Sequence, residues 1–268
     1  MMRRPTWRGV IAWGGATLAA YGLFLVVLAP ATLLDAGLRH ATNGTLRLAQ
    51  AHGTLWSGSG RLEIVNAAAT SGVGKDLSWT LQPGGLWHGR LDFEVAIDHA
   101  ASRFPVHISA RRIELADVDF TLPASALGVA VARIAPLGPR GELVFHIAKF
   151  SRAAGNVAVD AVMTWQDAGS ALTAVAPLGT YELQVNGAAG LVHATLRTRS
   201  GPLQLDGTGS SRDNGPLVFS ATARVDAQHR AQLTPLLRLI AIERSNGDFA
   251  LQFNPPLGNA PAVHAGNP

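Results

Sequence analysis

The chain has 268 residues and no cysteine, which excludes disulfides, thiolate metal sites and cysteine nucleophiles. Its formal charge is +4, and that of the part after Arg3, Arg4 and Arg8 is only +1. The remaining arginines are scattered singly, apart from the pair Arg111-Arg112. This distribution provides no basic patch and argues against nucleic-acid binding.

The first long feature is an apolar stretch from Gly9 to Leu34 that contains no charged side chain. A helix rises about 1.5 Å per residue, so a stretch of this length can cross the roughly 30 Å hydrocarbon core of a bilayer. Arg3, Arg4 and Arg8 precede it and only Asp35 closely follows. The positive-inside rule therefore predicts a cytoplasmic N-terminus, a single pass through the cell inner membrane, and export of the rest of the chain.

Two other interpretations of this stretch stay open. It could be a buried helix of a soluble domain, although such helices rarely lack polar residues for so long. It could also be a cleavable signal peptide, because Ala29-Pro30-Ala31 has the small residues that signal peptidase requires. We favour the uncleaved anchor, with residues 1–8 cytoplasmic, 9–34 in the membrane and 35–253 as a periplasmic domain.

Strict alternation dominates the chain after the anchor. Leu91, Phe93, Val95 and Ile97 alternate with polar residues, which is typical of a strand with one solvated face. Similar runs recur to Phe253, and Gly-containing pairs between them predict turns. These pairs are Asn43-Gly44, Asn186-Gly187, Asp206-Gly207, Asn214-Gly215 and Asn246-Gly247. The sequence therefore predicts a mostly β fold with an extended, curved antiparallel sheet.

Two segments have helical rather than strand periodicity. Leu127, Val131 and Ile134 form one apolar face, and the segment from Leu233 to Ile240 forms another, with Pro235 expected in its opening turn. Each is followed by a glycine turn and a strand that begins with an acidic residue. We therefore predict two similar halves, about 45–150 and 155–253, with one short helix each, and a disordered tail at 254–268.

A short repeat with the pattern Gly-x-Leu-Trp-x-Gly occurs twice. Its defining residues are Gly53, Leu55, Trp56 and Gly58 in the first copy, and Gly84, Leu86, Trp87 and Gly89 in the second. In a structural interpretation the glycines allow bends and the tryptophan covers an edge of the core. In a functional interpretation the tryptophans grip a lipid chain or a partner strand. We favour the structural interpretation and keep both copies as a candidate structural or interaction motif.

Catalytic and ligand-binding signatures are missing from the sequence. The nine histidines never have metal-ligand spacing, and there is no Gly-x-Ser-x-Gly elbow. The segment Gly72-Val73-Gly74-Lys75 lacks the Ser or Thr of a phosphate loop, since Asp76 follows it. We therefore expect no catalytic residue, no metal and no cofactor.

The order of several segments resembles type II secretion system protein N. The anchor, the two motif copies, Trp79 and the stretch from Ala176 to Tyr181 follow in that order, as do Gly201-Pro202-Leu203 and the segment from Leu233 to Ile240. The resemblance covers nearly the whole chain to about Phe253. It implies an inner-membrane protein whose periplasmic β domain helps to move folded proteins across the outer membrane of Gram-negative bacteria. The family supplies no catalytic residues.

Two functions follow as expectations. The first is a non-enzymatic component whose strand edges or sheet face dock other secretion-system subunits in the inner membrane and periplasm. The alternative is an envelope protein that carries or shields lipid in an apolar β groove, which resembles AsmA-like carriers at the level of the fold. An exported hydrolase is a third and disfavoured class.

Overall fold

The computed structural model describes residues 7–65, 72–98, 103–130, 134–153, 156–212, 215, 217–245 and 247–253. The helices are α1 (Trp7–Val27), α2 (Thr32–Ala41), α3 (Ser125–Ala130) and α4 (Arg230–Leu237). The strands of the N-terminal part are β1 (Leu46–Gly53), β2 (Ser57–Val65), β3 (Gly72–Gln82), β4 (Arg90–Ile97), β5 (Arg103–Ser109), β6 (Arg112–Pro123) and β7 (Pro139–Ala153). The later strands are β8 (Asn156–Ser170), β9 (Gly179–Ala188), β10 (Leu191–Ser200), β11 (Leu203–Arg212), β12 (Val218–Val225), β13 (Ile242–Glu243) and β14 (Phe249–Phe253).

The chain forms two compact units. The first unit is Met1–Pro83 with Phe93–Arg103, and the second unit is Gly84–Asp92 with Phe104–Pro268. In the first unit, β1, β2 and β3 are consecutive antiparallel neighbours. In the second unit, antiparallel neighbours follow chain order from β5 to β12, and β14 and β13 complete the order. The predicted mostly β, antiparallel fold with a few short helices is confirmed.

The predicted division into similar halves stays a prediction. Its proposed boundary falls where β7 and β8 meet, and these two strands pair along nearly their whole length, from Pro139 opposite Ser170 to Ala153 opposite Asn156. The proposed tail at 254–268 lies outside the described residues.

The predicted anchor segment contains two helices rather than one. Helix α1 ends at Val27, Pro30 forms an isolated bridge with Thr54, and α2 begins at Thr32. In the part of the chain that the structure describes, no helix is both long and apolar enough to cross a membrane.

The first unit has a small core beneath α2. Ala31, Leu48 and Trp79 are buried there, and Leu34 and Leu38 of the α2 segment pack against them. The helix is amphipathic, and its apolar side chains recur at the four-residue spacing that places them on one face. The end of the predicted anchor segment therefore belongs to the core of this unit.

The second unit has a larger core between α4 and the sheet. Leu233, Leu236 and Leu237 of α4 are buried against sheet residues that include Ala223 and Phe249. The predicted helix in this segment is confirmed. Its predicted beginning is wrong, because α4 starts at Arg230 and Pro235 lies inside it.

The other predicted helix is only partly reproduced. Leu127 lies in α3, Val131 lies outside the described residues, and Ile134 precedes a short 3₁₀ helix at Ala135–Leu137.

Two predicted turns lie inside strands. Asn186-Gly187 belongs to β9, and Asp206-Gly207 belongs to β11. A Cβ atom on Gly187 would lie 2.9 Å from the side chains of Val159 and Val192, so this glycine allows close packing between strands rather than a bend. The connection after β9 uses Ala189 and Gly190 instead, both at positive φ, as a tight hairpin turn requires.

Candidate interaction site

The first motif copy forms the loop between β1 and β2. Gly53 has φ +90°, a conformation that glycine adopts easily, and a Cβ atom there would lie 2.5 Å from the Ser57 carbonyl oxygen. The Thr54 N–H donates to that same carbonyl over 2.9 Å, and the Thr54 hydroxyl accepts from the Ser57 N–H over 3.2 Å. This loop therefore requires glycine at its first position.

The last glycine of the first copy is also required, for a different reason. Gly58 lies opposite Trp79 in the β2–β3 register, and a Cβ atom on Gly58 would lie 2.6 Å from the Trp79 ring. The buried Trp79 indole N–H points into the loop, 3.3 Å from the Thr54 carbonyl and 3.2 Å from that of Leu55. Trp79 thus packs against one end of the motif and donates to its middle.

The motif tryptophan contacts the end of α1. The Trp56 indole N–H donates to the Val26 carbonyl over 2.8 Å, and the Leu55 N–H donates to the Ala29 carbonyl over 2.7 Å. The last carbonyls of a helix have no partner within the helix, so donors from outside satisfy them. The first copy therefore fixes the point at which the chain leaves α1. We call the loop 53–58 with its contacts to 26–31 the helix socket.

The outer edge of β1 bonds to the α2 segment. The Leu48 N–H donates to the Asp35 carboxylate over 2.8 Å, and the Leu46 N–H donates to the Thr42 hydroxyl over 3.1 Å. Asp35 and Thr42 both come from the α2 segment, and Asp35 also pairs with Arg39 at 2.7 Å. Bonded edge N–H groups are poor templates for another strand, so β1 is protected against strand addition.

The second motif copy has another structure and lies in the second unit. It forms most of a 3₁₀ helix at Pro83–His88, in which Leu86 is 49% and Trp87 is 92% exposed. Gly84 has open space around it, and Gly89 has φ +66°. The crowded glycine is Gly85, since a Cβ atom there would lie 2.7 Å from the Arg90 carbonyl oxygen. The second copy therefore presents its tryptophan to solvent.

Charged side chains hold the strand after the second copy. Asp92 lies 2.6 Å from the Arg90 Nε atom and 2.7 Å from the His107 Nδ1 atom. The hydrogen bond from Arg90 is the main reason that the pKa of the Asp92 carboxyl is below its usual value, and the bond to His107 adds to it. The Asp92 carboxylate also fills the space beside Gly85, where a side chain would otherwise lie.

A similar pair lies on β9 and β10. Glu182 is 8% exposed, and its carboxylate accepts from the Arg199 guanidinium and from the Gln184 amide. The bond from Arg199 is the largest cause that lowers the pKa of Glu182. Among the described residues, no group of three or more His, Asp or Glu side chains is arranged to hold a metal ion.

The second unit also contains an apolar cavity of about 200 Å³ between the sheet and the segments around α4. The sheet contributes Leu196, Leu205 and Ala221, and α4 contributes Leu236 and Leu237. Sequence reasoning did not find this site, because its lining comes from strands and helices between Ile134 and Leu251.

Comparison with known proteins gives one consistent family. The family model described as type II secretion system (T2SS), protein N matches residues 44–252. A protein of Pectobacterium carotovorum subsp. carotovorum named type II secretion system protein N is 28% identical over 256 residues, which cover 91% of this chain and 96% of that protein. A Klebsiella pneumoniae protein of the same name is 31% identical over 255 residues, covering 87% and 90%. No solved structure matches. The resemblance found in the sequence is thereby confirmed, and the chain belongs to the type II secretion system protein N family.

Proposed function

We propose that the chain is a non-enzymatic, inner-membrane component of the type II secretion system, and that its periplasmic β units dock other subunits. Membership of the family supports a role in secretion and in the assembly of its machinery. In this proposal residues 1–8 are cytoplasmic, the segment 9–34 contains the anchor, and 35–253 lies in the periplasm.

The exposed apolar surface at the end of α1 supports the anchor. The large apolar side chains between Leu18 and Leu28 are each more than half exposed. They are Leu18, Tyr21, Leu23, Phe24, Leu25, Val26, Val27 and Leu28. A continuous apolar surface of this kind is stable in hydrocarbon and unfavourable in water. Because Ala31 and Leu34 belong to the core of the first unit, we place the end of the anchor near Val27.

The observation that carries the proposal is the bond between Trp56 and the last turn of α1. Two backbone hydrogen bonds join the same two segments: the Leu55 N–H donates to the Ala29 carbonyl and the Ala31 N–H donates to the Gly53 carbonyl, and together they form the bridge between Pro30 and Thr54. A freely hinged linker would not make three such bonds. The helix socket is therefore suited to hold a membrane helix and the strands of the first unit in a fixed arrangement.

The second motif copy supplies the docking surface in this proposal. Trp87 and Leu86 are large, apolar and exposed, and tryptophan is over-represented among the residues that dominate binding energy at interfaces. The protected edge of β1 makes strand addition there unfavourable. The first copy then has a structural role and the second an interaction role.

The experiment is a secretion assay combined with cross-linking in cells. Deletion of the gene should reduce the secretion of folded substrates, and the wild-type gene should restore it. A photo-reactive amino acid at position 87 should cross-link to another secretion-system subunit. The same probe at Leu172, which is also exposed in the second unit, is the matched control. Unchanged secretion after deletion, together with the absence of cross-links to any such subunit, would contradict the proposal.

A lipid-shielding role is the second candidate function, and the apolar cavity favours it. An open lipid groove requires apolar sheet residues with no helix over them. In the second unit α4 packs over the apolar sheet residues near Phe249, which favours docking over a long lipid groove. Co-purification of several lipid molecules with each chain would instead support the groove.

A further inference from the structure

We propose that a cleft at the turn between β5 and β6 binds an acidic, extended segment of another secretion-system subunit. The cleft has a volume of about 500 Å³, and its lining includes Ile108, Arg111, Ile113 and Arg152. This inference rests on the proposed docking function, because it names the kind of partner that the docking surface of the second unit takes.

The fold adds a third arginine to the pair Arg111-Arg112. Arg152 lies opposite Ile113 in the β6–β7 register, and Ile113 lies opposite Ile108 in the β5–β6 register. Residues directly opposite each other in antiparallel strands have their side chains on the same face of the sheet. The Arg152 side chain and the two isoleucine side chains therefore share one face, and all three residues line the cleft.

The positive charge at the cleft is only partly neutralised. Arg112 pairs with Glu114 at 3.2 Å. Arg111 and Arg152 are exposed, and neither has a carboxylate partner among the residues that the structure describes. The described lining of the cleft also contains no acidic side chain. Charge-assisted hydrogen bonds between guanidinium and carboxylate are stronger than neutral ones, so the cleft is complementary to a segment with at least two acidic residues.

The apolar floor of the cleft favours a protein segment over a small anion. Ile113 is 43% exposed, and Ile108 beside it is half-buried. A free phosphate would leave this apolar surface in water, whereas a peptide can cover it with an apolar side chain while its carboxylates bind the arginines. Membership of the family supports another secretion-system subunit as the source of that peptide.

The cleft lies at the same end of the strands as the second motif copy. The Asp92 carboxylate at the start of β4 lies beside Gly85 of that copy and pairs with His107 of β5 at 2.7 Å. β4 and β5 are neighbours in the sheet, and the short connection between them permits only antiparallel pairing. From His107, β5 therefore runs toward the motif and ends at the turn 109–112. One extended partner segment can contact both Trp87 and the arginines.

The first test measures binding of the purified full-length chain to a fluorescein-labelled peptide, Glu-Leu-Glu-Leu-Glu, by fluorescence anisotropy. A control peptide with Gln in place of each Glu should not bind. Binding of the acidic peptide should weaken as the salt concentration rises. Arg111→Gln and Arg152→Gln should each weaken the affinity about threefold, and together about tenfold, as expected for exposed charge pairs.

The matched control is Arg140→Gln. Arg140 is also exposed and has no ion pair among the described residues, but it lies near the start of β7, whereas Arg152 lies near its end. This substitution makes the same charge change as Arg152→Gln and should leave the affinity unchanged. Circular dichroism should show the same fold in every variant. Equal losses in Arg140→Gln and Arg152→Gln, or full affinity in the double variant, would overturn the site.

The second test identifies the partner in cells. A photo-reactive amino acid at Ile113 should cross-link to another secretion-system subunit, and mass spectrometry should place the cross-link in a segment with several acidic residues. The same probe at Ile242, which is 72% exposed on β13, is the control and should not give this cross-link. A lipid adduct at position 113, or a cross-linked segment without acidic residues, would overturn the proposal.

The acidic-segment site and the docking function can fail separately. If deletion of the gene reduces secretion and position 87 cross-links to a subunit, but the double arginine variant binds the acidic peptide like the wild type, only the acidic-segment site is overturned. Unchanged secretion after deletion would overturn the secretion role, while peptide binding that depends on Arg111 and Arg152 would still support the site.

Discussion

The two copies of the Gly-x-Leu-Trp-x-Gly motif have the same pattern and different structures. In the first copy the tryptophan, Trp56, bonds to the end of a helix, whereas in the second copy Trp87 is 92% exposed. The most crowded glycine also has a different place in each copy. It is Gly58, the last residue, in the first copy, and Gly85, the second residue, in the second copy. A repeated hexapeptide therefore does not predict a repeated structure.

The flanking residues explain the difference. The first copy joins two directly paired strands, β1 and β2, and its loop closes through Thr54 and Ser57. The second copy follows Pro83, whose fixed φ near −65° suits the first position of a helical turn, so the chain continues into a 3₁₀ helix. The tryptophan then contacts the end of α1 in the first copy and points toward solvent in the second.

The largest expected difference between the copies concerns their first glycines. Gly53→Ala should destabilise the protein by about 2–4 kcal/mol, because alanine is strained at φ +90° and its Cβ atom would meet the Ser57 carbonyl. Gly84→Ala should change the stability by less than about 0.5 kcal/mol, because the space there is open. Denaturant unfolding measures both. Equal effects would show that the two loops are under the same constraint.

The second largest difference in stability is expected between substitutions of the two tryptophans. Trp56→Phe removes the N–H that donates to Val26 and should cost about 1 kcal/mol of stability, with faster hydrogen exchange at the end of α1. Trp87→Phe is the control and should change neither quantity, since the Trp87 side chain is nearly fully exposed. Protection at residues 26–31 that is unaffected by Trp56→Phe would contradict the role of the helix socket.

Much of the fold could be predicted from the sequence, because it rests on local periodicity. Alternation from Leu91 to Ile97 matches β4, and the apolar spacing from Leu233 matches the buried face of α4. The turns predicted at Asn186-Gly187 and Asp206-Gly207 were wrong. The sequence does not distinguish a glycine required for close strand packing from a glycine in a turn.

The candidate site could not be predicted in the same way, because it is formed by residues that are far apart in the sequence. Trp56 and Val26 are thirty positions apart, and no local pattern indicates that an indole will meet a helix end. The cavity is less accessible still to sequence reasoning, since Ile134, Trp165 and Leu251 come together only in the folded sheet. The motif indicated the two segments of interest. Only the structure distinguishes the copy that contacts a helix end from the copy that is exposed.

A smaller difference in stability between the two copies should appear when the pH is lowered. The pKa of Asp92 is lowered in the folded state, so the stability that Asp92 contributes is present above the usual aspartate pKa and is lost as the pH falls through its lowered value. The difference in thermal midpoint between wild type and Asp92→Asn should therefore shrink as the pH falls from 5 toward 3, roughly the range around the usual aspartate pKa.

The first copy provides the control for this pH dependence. Residues Gly53 to Gly58 include no ionisable side chain, so the effect of Trp56→Phe should stay constant over the same range. A Trp56→Phe effect that declines in parallel with that of Asp92→Asn would mean that a general acid transition, rather than the Asp92 contacts, produces the loss.

The smallest expected effect on stability is that of Trp87→Ala, and it separates the two roles. The side chain is 92% exposed, so its removal should shift the free energy of unfolding by less than about 0.5 kcal/mol. If the second copy is a docking surface, the same change should still reduce secretion and binding to other subunits, because an exposed tryptophan contributes most when a partner buries it. Trp56→Ala should instead reduce the stability clearly. Any loss of secretion in this variant should be a consequence of that lower stability. Equal losses of secretion and stability in both variants would mean that both copies are structural and that the docking surface lies elsewhere.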